Sequence, residues 1–394
     1  MTETLTRIVQ PPEPLTSTFP WFGGKHSVTA EVWTRFGNVS NYVEPFAGSL
    51  AVLLGRPAGH RWWMLNESVN DLDGNIANWH RAVAADPNTV AFYASQPVNE
   101  LDLTARHLWL VQHSEQMRED LARDPDFYDV RAAGWWVWGI SAWVGGEWCS
   151  GIGPYTGSEE PSITRGGTAP GVYRKLPMMA GAHGGKGIHK PINPHGLVPG
   201  TTDESVADID GSYAASLATT FTALSNRLRR VRVACGDWSR VLVNVAQPAD
   251  GHVTGVFLDP PYDPAERRTA LYSVGDHKTI RKAKDSESQP DTLDLGVDAM
   301  PRLLDAHEAA RQWALDRTED PTFRIAYCSY STDAEDQMFL DAGWVPHRWS
   351  AAGGYSNSSA KTQPTRAKDN RHREVVWFSP SCIVPEDPQL GLFE

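Results

Sequence analysis

Between Thr254 and Pro264 the chain reads TGVFLDPPYDP, a short apolar run that ends in an acid, two prolines and a tyrosine. Core packing gives no reason for that order, but chemistry on a nucleobase does. An exocyclic amine is a poor nucleophile because its lone pair is delocalised into the ring. Two acceptors, each taking one N–H, would pull the nitrogen toward pyramidal geometry and aim its lone pair at an electrophile. Asp259 supplies a carboxylate and the Pro260 carbonyl a second acceptor, while Pro261 stiffens the turn and restricts Pro260. Tyr262 then offers a π-face on which a base can lie.

Three further stretches could serve the same site. In NYVEPFAGSLAVLL a strand ends at Glu44 and Pro45, passes Phe46, turns at Gly48 and resumes as an apolar helix. Such a turn presents backbone amides at the carboxyl edge of a sheet, where α/β proteins bind nucleotides. Downstream, NESVNDLDG offers Glu67, Asp71 and Asp73 for ribose hydroxyls, and Asp71 or Asp73 could equally cap the helix NIANWHRAV. In FPWFGGKHS, Gly23 and Gly24 let the backbone approach a ligand, and Lys25 at a helix start could meet a carboxylate. The leading glycine and spacing of a phosphate-binding P-loop are missing.

The elements that must position these residues follow from the pattern of apolar runs. They alternate with amphipathic ones as in a parallel sheet covered by helices, so the expected fold class is α/β. Strands are expected at Asn41 (NYVE), Arg61 (RWWML), Val231 (VRVAC), Gly255 (GVFLD), Phe323 (FRIAYC) and Glu374 (EVVWF). Helices are expected after Gly48, Asp73, Asp210 and Thr332; the last has Thr332 and Asp333 as caps, Glu335 in its first turn and Gly343 as its stop. From about Ala94 to Gly211 the alternation fails, which reads as an inserted module, and Asp263 to Asp298 reads as a long mobile loop.

The 394 residues, 41% of them hydrophobic, can bury a sizeable core. No run of about 18 apolar residues appears, and MTETLTRIVQPPEP lacks the basic-then-apolar layout of a signal peptide, so a cytoplasmic location and no membrane partner are expected. Cys149, Cys235, Cys328 and Cys382 form no C-x-x-C pair and suggest neither disulfides nor a cysteine zinc site. A formal charge of −12 argues against a protein that simply coats nucleic acid, so any DNA surface must be local. Basic residues do concentrate in RLRRVR at Arg227 to Arg232, between Arg165 and Lys190, and in HKTIRKAK.

Taken in order, WFGGK, EPFAGS, the interrupting interval and DPPY resemble the Dam-like N6-adenine DNA methyltransferases, in the alpha-group order. The likeness extends to NDLDGNIANWHRAV, RVRVACGDWSRVL and REVVWFSP, most of the chain outside the insert. The resemblance implies a doubly wound, mainly parallel Rossmann-like methyltransferase sheet with an inserted, mostly helical or irregular target-recognition domain. Its divisions would be residues 1–93 and 212–380 for catalysis, 94–211 for recognition and 381–394 as a tail. It implies S-adenosylmethionine as cofactor, with Trp21, Gly23, Gly24 and Lys25 near its amino-acid end, Glu44, Phe46 and Gly48 at the turn beneath it, and Asp71 on the ribose. Asp237 in CGDW would reach the cofactor's adenine, or cap the helix WSRVL. Asp259, Pro260, Pro261 and Tyr262 would hold the target adenine, with no metal required.

The implied substrate is double-stranded DNA, with the adenine flipped out of the stack for methylation at N6. The implied protein is a monomer without an obligate protein partner, in the cytoplasm of a bacterium or a virus-infected host. Arg165, Arg174, Lys175, Lys186 and Lys190 are candidates, as a group, for phosphate or guanine contacts. Alternatives are transfer to cytosine N4 or RNA, and an inactive DNA-binding relative. Two departures stand out: Leu50 occupies the place where the family's cofactor turn usually has a second glycine, and the insert shares little with the Asn- and Arg-rich recognition segment of Dam itself, so no target sequence transfers. The tryptophans 135, 136, 138, 143 and 148 read as the core of a helical module or as stacking residues. His183, His189 and His195 are spaced too loosely for a zinc motif.

Overall fold

In the computed structural model the described residues are 15, 17–19, 21, 24–60, 66–142, 148–149, 212–243, 252–261, 303–349 and 374–385. Seven strands form one sheet: β1 (Asn41–Glu44), β2 (Asn66–Asp71), β3 (Val231–Cys235), β4 (Thr254–Leu258), β5 (Phe323–Tyr330), β6 (Val345–Arg348) and β7 (Glu374–Phe378). Their order is β3-β2-β1-β4-β5-β7-β6. The first five run parallel, and β7 lies antiparallel to both β5 and β6.

Side chains along the inner strands alternate between two apolar layers, as a period of two requires. Tyr42, Phe257, Ala326, Cys328, Val376 and Phe378 enter one cluster, and their neighbours Val43, Val256, Leu258, Ile325, Tyr327, Val375 and Trp377 enter the other. A sheet buried on both faces reads as continuous apolar runs, which is how β4, β5 and β7 read. At one edge, β6 carries Pro346, tolerated where no further strand needs its missing N–H.

The first layer is built by α1 (Thr29–Phe36), α2 (Ala51–Leu54), α3 (Gly74–Ala85), α4 (Pro87–Ala94), α5 (Glu100–Arg123), α6 (Val130–Ala142) and α7 (Ser212–Leu228). The second is built by α8 (Leu303–Leu315), α9 (Asp333–Asp341) and the short turn of helix at Trp238–Val241. Expected caps are in place: Asp73 accepts the Asn75 N–H at 2.8 Å, Thr332 accepts that of Glu335 at 3.2 Å, and Gly343 has φ +78° after α9. No helix among the described residues is long and apolar enough to cross a membrane.

The expected strand RWWML falls on residues 61–65, outside the described ones, and the strand that pairs with β1 is the polar NESVND. It tolerates burial because its charge and its buried amide donor are met, although Asn70 Oδ1 has no partner among the described residues. Glu67 accepts from Arg227 at 2.6 and 3.0 Å and from Arg56 at 3.1 Å, and Asn70 donates to the carbonyls of Pro45 and Gly236, each at 3.0 Å. Packing is also continuous across residue 94: α5 and α6 lie against α3, and α6 and α7 both lie on α4. Phe19, Trp79 and Trp136 meet edge to face at 5.0 Å, so Trp136 belongs to the layer over the sheet. Trp138 and Trp148 are buried beside it, Trp135 is partly buried, and Trp143 lies outside the described residues, as do the three histidines and the expected loop. The four thiols are free; Cys235 is exposed and the others buried.

Candidate functional site

Strand β1 is flanked by β2 and β4, so successive crossovers leave it in opposite directions and a crevice opens above the carboxyl ends of β1 and β4. Both candidate turns lie at that crevice. Three strand ends are stitched beneath it: Ala47 N–H donates to Asn70 O at 2.9 Å, Gly48 N–H to Asp71 Oδ2 at 2.9 Å, Asp73 N–H to Asp71 Oδ1 at 2.9 Å and Gly236 N–H to Asp71 O at 3.1 Å. Asp71 therefore fastens the β1 turn to the end of β2. Glu67, the other acid considered, sits at the opposite end of β2 inside its arginine pair.

Gly48 has φ +46°, and a Cβ there would stand 2.4 Å from Trp21 Nε1, so the turn requires glycine for conformation and for the indole above it. Two residues on, Leu50 has φ +60°. The position where the resembling family has its second glycine thus keeps the left-handed backbone that glycine favours, and a buried leucine occupies it. The helix that follows, α2, has only four residues.

Lys25 does meet a carboxylate, and it is that of Asp259: Nζ lies 2.8 Å from Oδ1, with Lys25 4% and Asp259 20% exposed. Burial alone would lower the lysine pKa, but the acids around it, Asp259 foremost and also Glu374, hold it above the ordinary value. Glu374 opens β7 opposite Tyr330, the last residue of β5, so the antiparallel strand delivers an acid to the carboxyl edge. In EVVWF the apolar run declares a strand and its first residue carries no local signal of function; only the reversed direction of β7 brings Glu374 here. Glu44 closes β1, accepts from the Tyr42 hydroxyl at 3.0 Å, and is pushed up to about 8, by burial first and also by Asp259 and Asp71. Asp71 is pushed up to about 6, mainly by burial.

Asp237 caps the turn of helix after β3, accepting the Ser239 N–H at 2.9 Å and the Ser239 hydroxyl. The next residue, Trp238, stacks on Phe46 with centroids 5.6 Å apart.

One cavity of about 1390 Å³ joins these groups. Trp21, Gly24, Lys25, Glu44, Phe46 and Gly48 line it from the amino-terminal side, Asp71 and Asp237 from the β2 and β3 ends, and Asp259 and Pro261 from β4. Of the remaining expected residues, Pro260 sits between its lining neighbours, while Gly23, Tyr262, Arg165, Arg174, Lys175, Lys186 and Lys190 lie outside the described residues. No family model matches the chain, and no curated protein matches it. Residues separated by more than two hundred positions, from Trp21 to Pro261, are nevertheless gathered around one crevice, which suits a ligand bound across several strand ends.

Proposed function

We propose that the chain is an S-adenosylmethionine-dependent methyltransferase acting on an exocyclic amine of a nucleobase, with the N6 amine of adenine in double-stranded DNA as its substrate. The observation that carries this reading is the placement of Asp259, with Pro260 next in the chain, at the switch-point end of β4, and of Asp259 in one cavity with Gly48, Asp71 and Asp237. The cavity is larger than the roughly 300–1,000 Å³ usual for one small ligand, which suits a cofactor and a base side by side.

The lining fits the cofactor in two respects. Its acids Asp71 and Asp237 would favour a cationic sulfonium, and the Gly48 turn brings backbone close enough for a ligand to lie against it. When bound, the cofactor supplies an already activated methyl group, so neither a metal nor a covalent intermediate is needed. Asp259 and the Pro260 carbonyl would accept the two amine hydrogens and orient the nitrogen lone pair. Lys25 offsets the charge of Asp259 and fixes its carboxylate where the base must arrive. Target recognition is assigned to the interval 94–211, which holds Arg165, Arg174, Lys175, Lys186 and Lys190.

The test is incubation of the full chain and of Asp259→Ala with unmethylated duplex DNA and methyl-labelled cofactor, followed by mass spectrometry of the nucleosides. Label in N6-methyladenine with the wild type alone supports the proposal. Label in a cytosine derivative would retain the mechanism and replace the substrate. Cofactor binding without transfer to any DNA or RNA tried would sink the assignment.

A further inference from the structure

The period of two along each strand sorts side chains between the faces of the sheet, and it gathers two acids on the face that Lys25 covers. Phe257 enters the first layer from β4, so Asp259 continues that face. Ala326 and Cys328 enter it from β5, and Val376 and Phe378 from β7, which puts Glu374 on the same face. Helix α1 packs on β5, and Lys25 precedes it by one short turn of helix. Strand β5 runs between the two acids, with Cys328 one residue beyond the partner of Leu258 and Tyr330 opposite Glu374.

Glu374 is part-buried, and its side chain makes no hydrogen bond or ion pair among the described residues. Burial raises its carboxyl, with Lys25 opposing that rise and Asp259 adding to it, so the lysine and the two acids feel one another. Two further titratable groups on this face carry little charge near neutral pH. Glu44, at the end of β1, is pushed up to about 8, and burial raises the Cys328 thiol well above its ordinary range. Lys25 and Asp259 by themselves would cancel. With Glu374 ionised, one ammonium stands against two carboxylates, and the group is net negative.

We propose that Glu374 is a positioning residue for methyl transfer: as a carboxylate it balances the charge of Lys25 and so leaves the charge of Asp259 to the amine. The inference rests on the methyltransferase reading. In that reaction the amine nitrogen bonds to the methyl carbon as the carbon leaves sulfur, the bonding pair staying on sulfur, so positive charge passes to the nitrogen, which then gives one proton to water. A lysine that cancelled Asp259 would offer this nascent cation only a dipole, whereas a net negative site stabilises it as it forms. Asp259 thus keeps the geometry that Lys25 fixes at 2.8 Å without losing the field that the amine needs.

Single-turnover methylation by the full chain tests it, with wild type, Glu374→Gln and Glu374→Asp, unmethylated duplex DNA and methyl-labelled S-adenosylmethionine. Equilibrium titrations of cofactor and DNA run beside it, and melting temperatures report folding. Expected are transfer slowed about tenfold or more in Glu374→Gln with both affinities within about twofold of wild type, and recovery of most of that loss in Glu374→Asp, which keeps the charge. Glu374→Gln keeps the side chain's size and breaks no hydrogen bond among the described residues, so it should melt near the wild type; Glu374→Ala is a second neutral variant if it does not. Equal transfer rates in wild type and the neutral variants would overturn the inference and leave the methyltransferase assignment standing. So would affinities that fall as far as the rate, the mark of a purely structural role, or a folded Glu374→Asp as slow as Glu374→Gln. Absence of transfer by the wild type to every DNA and RNA tried would strike the assignment itself, and this inference with it.

Discussion

The contact between Lys25 and Asp259 allows a sharp test, because its two partners are unequally buried. Asp259→Asn takes the ion-pair partner from an ammonium that is 4% exposed and has Glu374 as another neighbour, whereas Lys25→Met takes it from a carboxylate that is 20% exposed and can reach water. Breaking a fully buried pair from one side costs about 3–5 kcal/mol, and replacing both members by uncharged groups of similar volume is close to neutral. Asp259→Asn is therefore expected to lose about 3 kcal/mol and Lys25→Met about 2 kcal/mol, each from this rule reduced for the residual neighbour or solvent. The double variant should lose about 2 kcal/mol or less rather than the sum of about 5 kcal/mol, a coupling of about 3 kcal/mol or more. Urea denaturation of the four proteins at one neutral pH measures it. Additivity within about 0.5 kcal/mol would show that the two groups do not share their charge in solution, and the role given to Lys25 would fall with it.

Other outcomes follow from the same structure. The carboxyls of Glu44 and Asp71 are raised to about 8 and about 6, so the folded chain keeps protons that the unfolded chain releases near pH 4.5 and 3.8. Stability present below those unfolded values is lost as pH rises through the folded ones, and thermal melts from pH 4 to 9 should show Glu44→Gln flattening the upper part of that fall and Asp71→Asn the lower. Leu50→Gly relieves a left-handed backbone worth about 1 kcal/mol but removes a buried leucine worth about 2–5 kcal/mol, so denaturation should show a net loss. Glu67→Ala leaves Arg56 and Arg227 buried without their shared carboxylate, for which a loss of about 3–5 kcal/mol in a denaturation titration is expected.

The apolar strands and capped helices were legible because their signals are local. Val256 to Leu258, Ile325 to Tyr327 and Thr332 with Glu335 each declare their role within a few residues. Strand β2 was not legible, since NESVND reads as a polar loop until Arg56 and Arg227, the latter 160 positions away from Glu67, supply its countercharges. Most of the site's gathering was anticipated from DPPY, EPFAGS and FGGK, because turns at strand ends must share one edge of a parallel sheet. One thing was hidden: Glu374 depends on the reversed direction of β7, which no local pattern encodes.

The position of α4 has a consequence for how such a chain can change over generations. Because α6 and α7 both pack on this one short helix, the stretch between Ala142 and Ser212 departs from and rejoins the same part of the framework. Its departure is anchored by Trp148, whose indole donates to the Trp136 carbonyl at 3.1 Å and lies where a Cβ on Gly139 would intrude. Because closing a flexible connection costs only about 0.6 kcal/mol more for each doubling of its length, an insertion between Ala142 and Ser212 would leave the order of the sheet as it is.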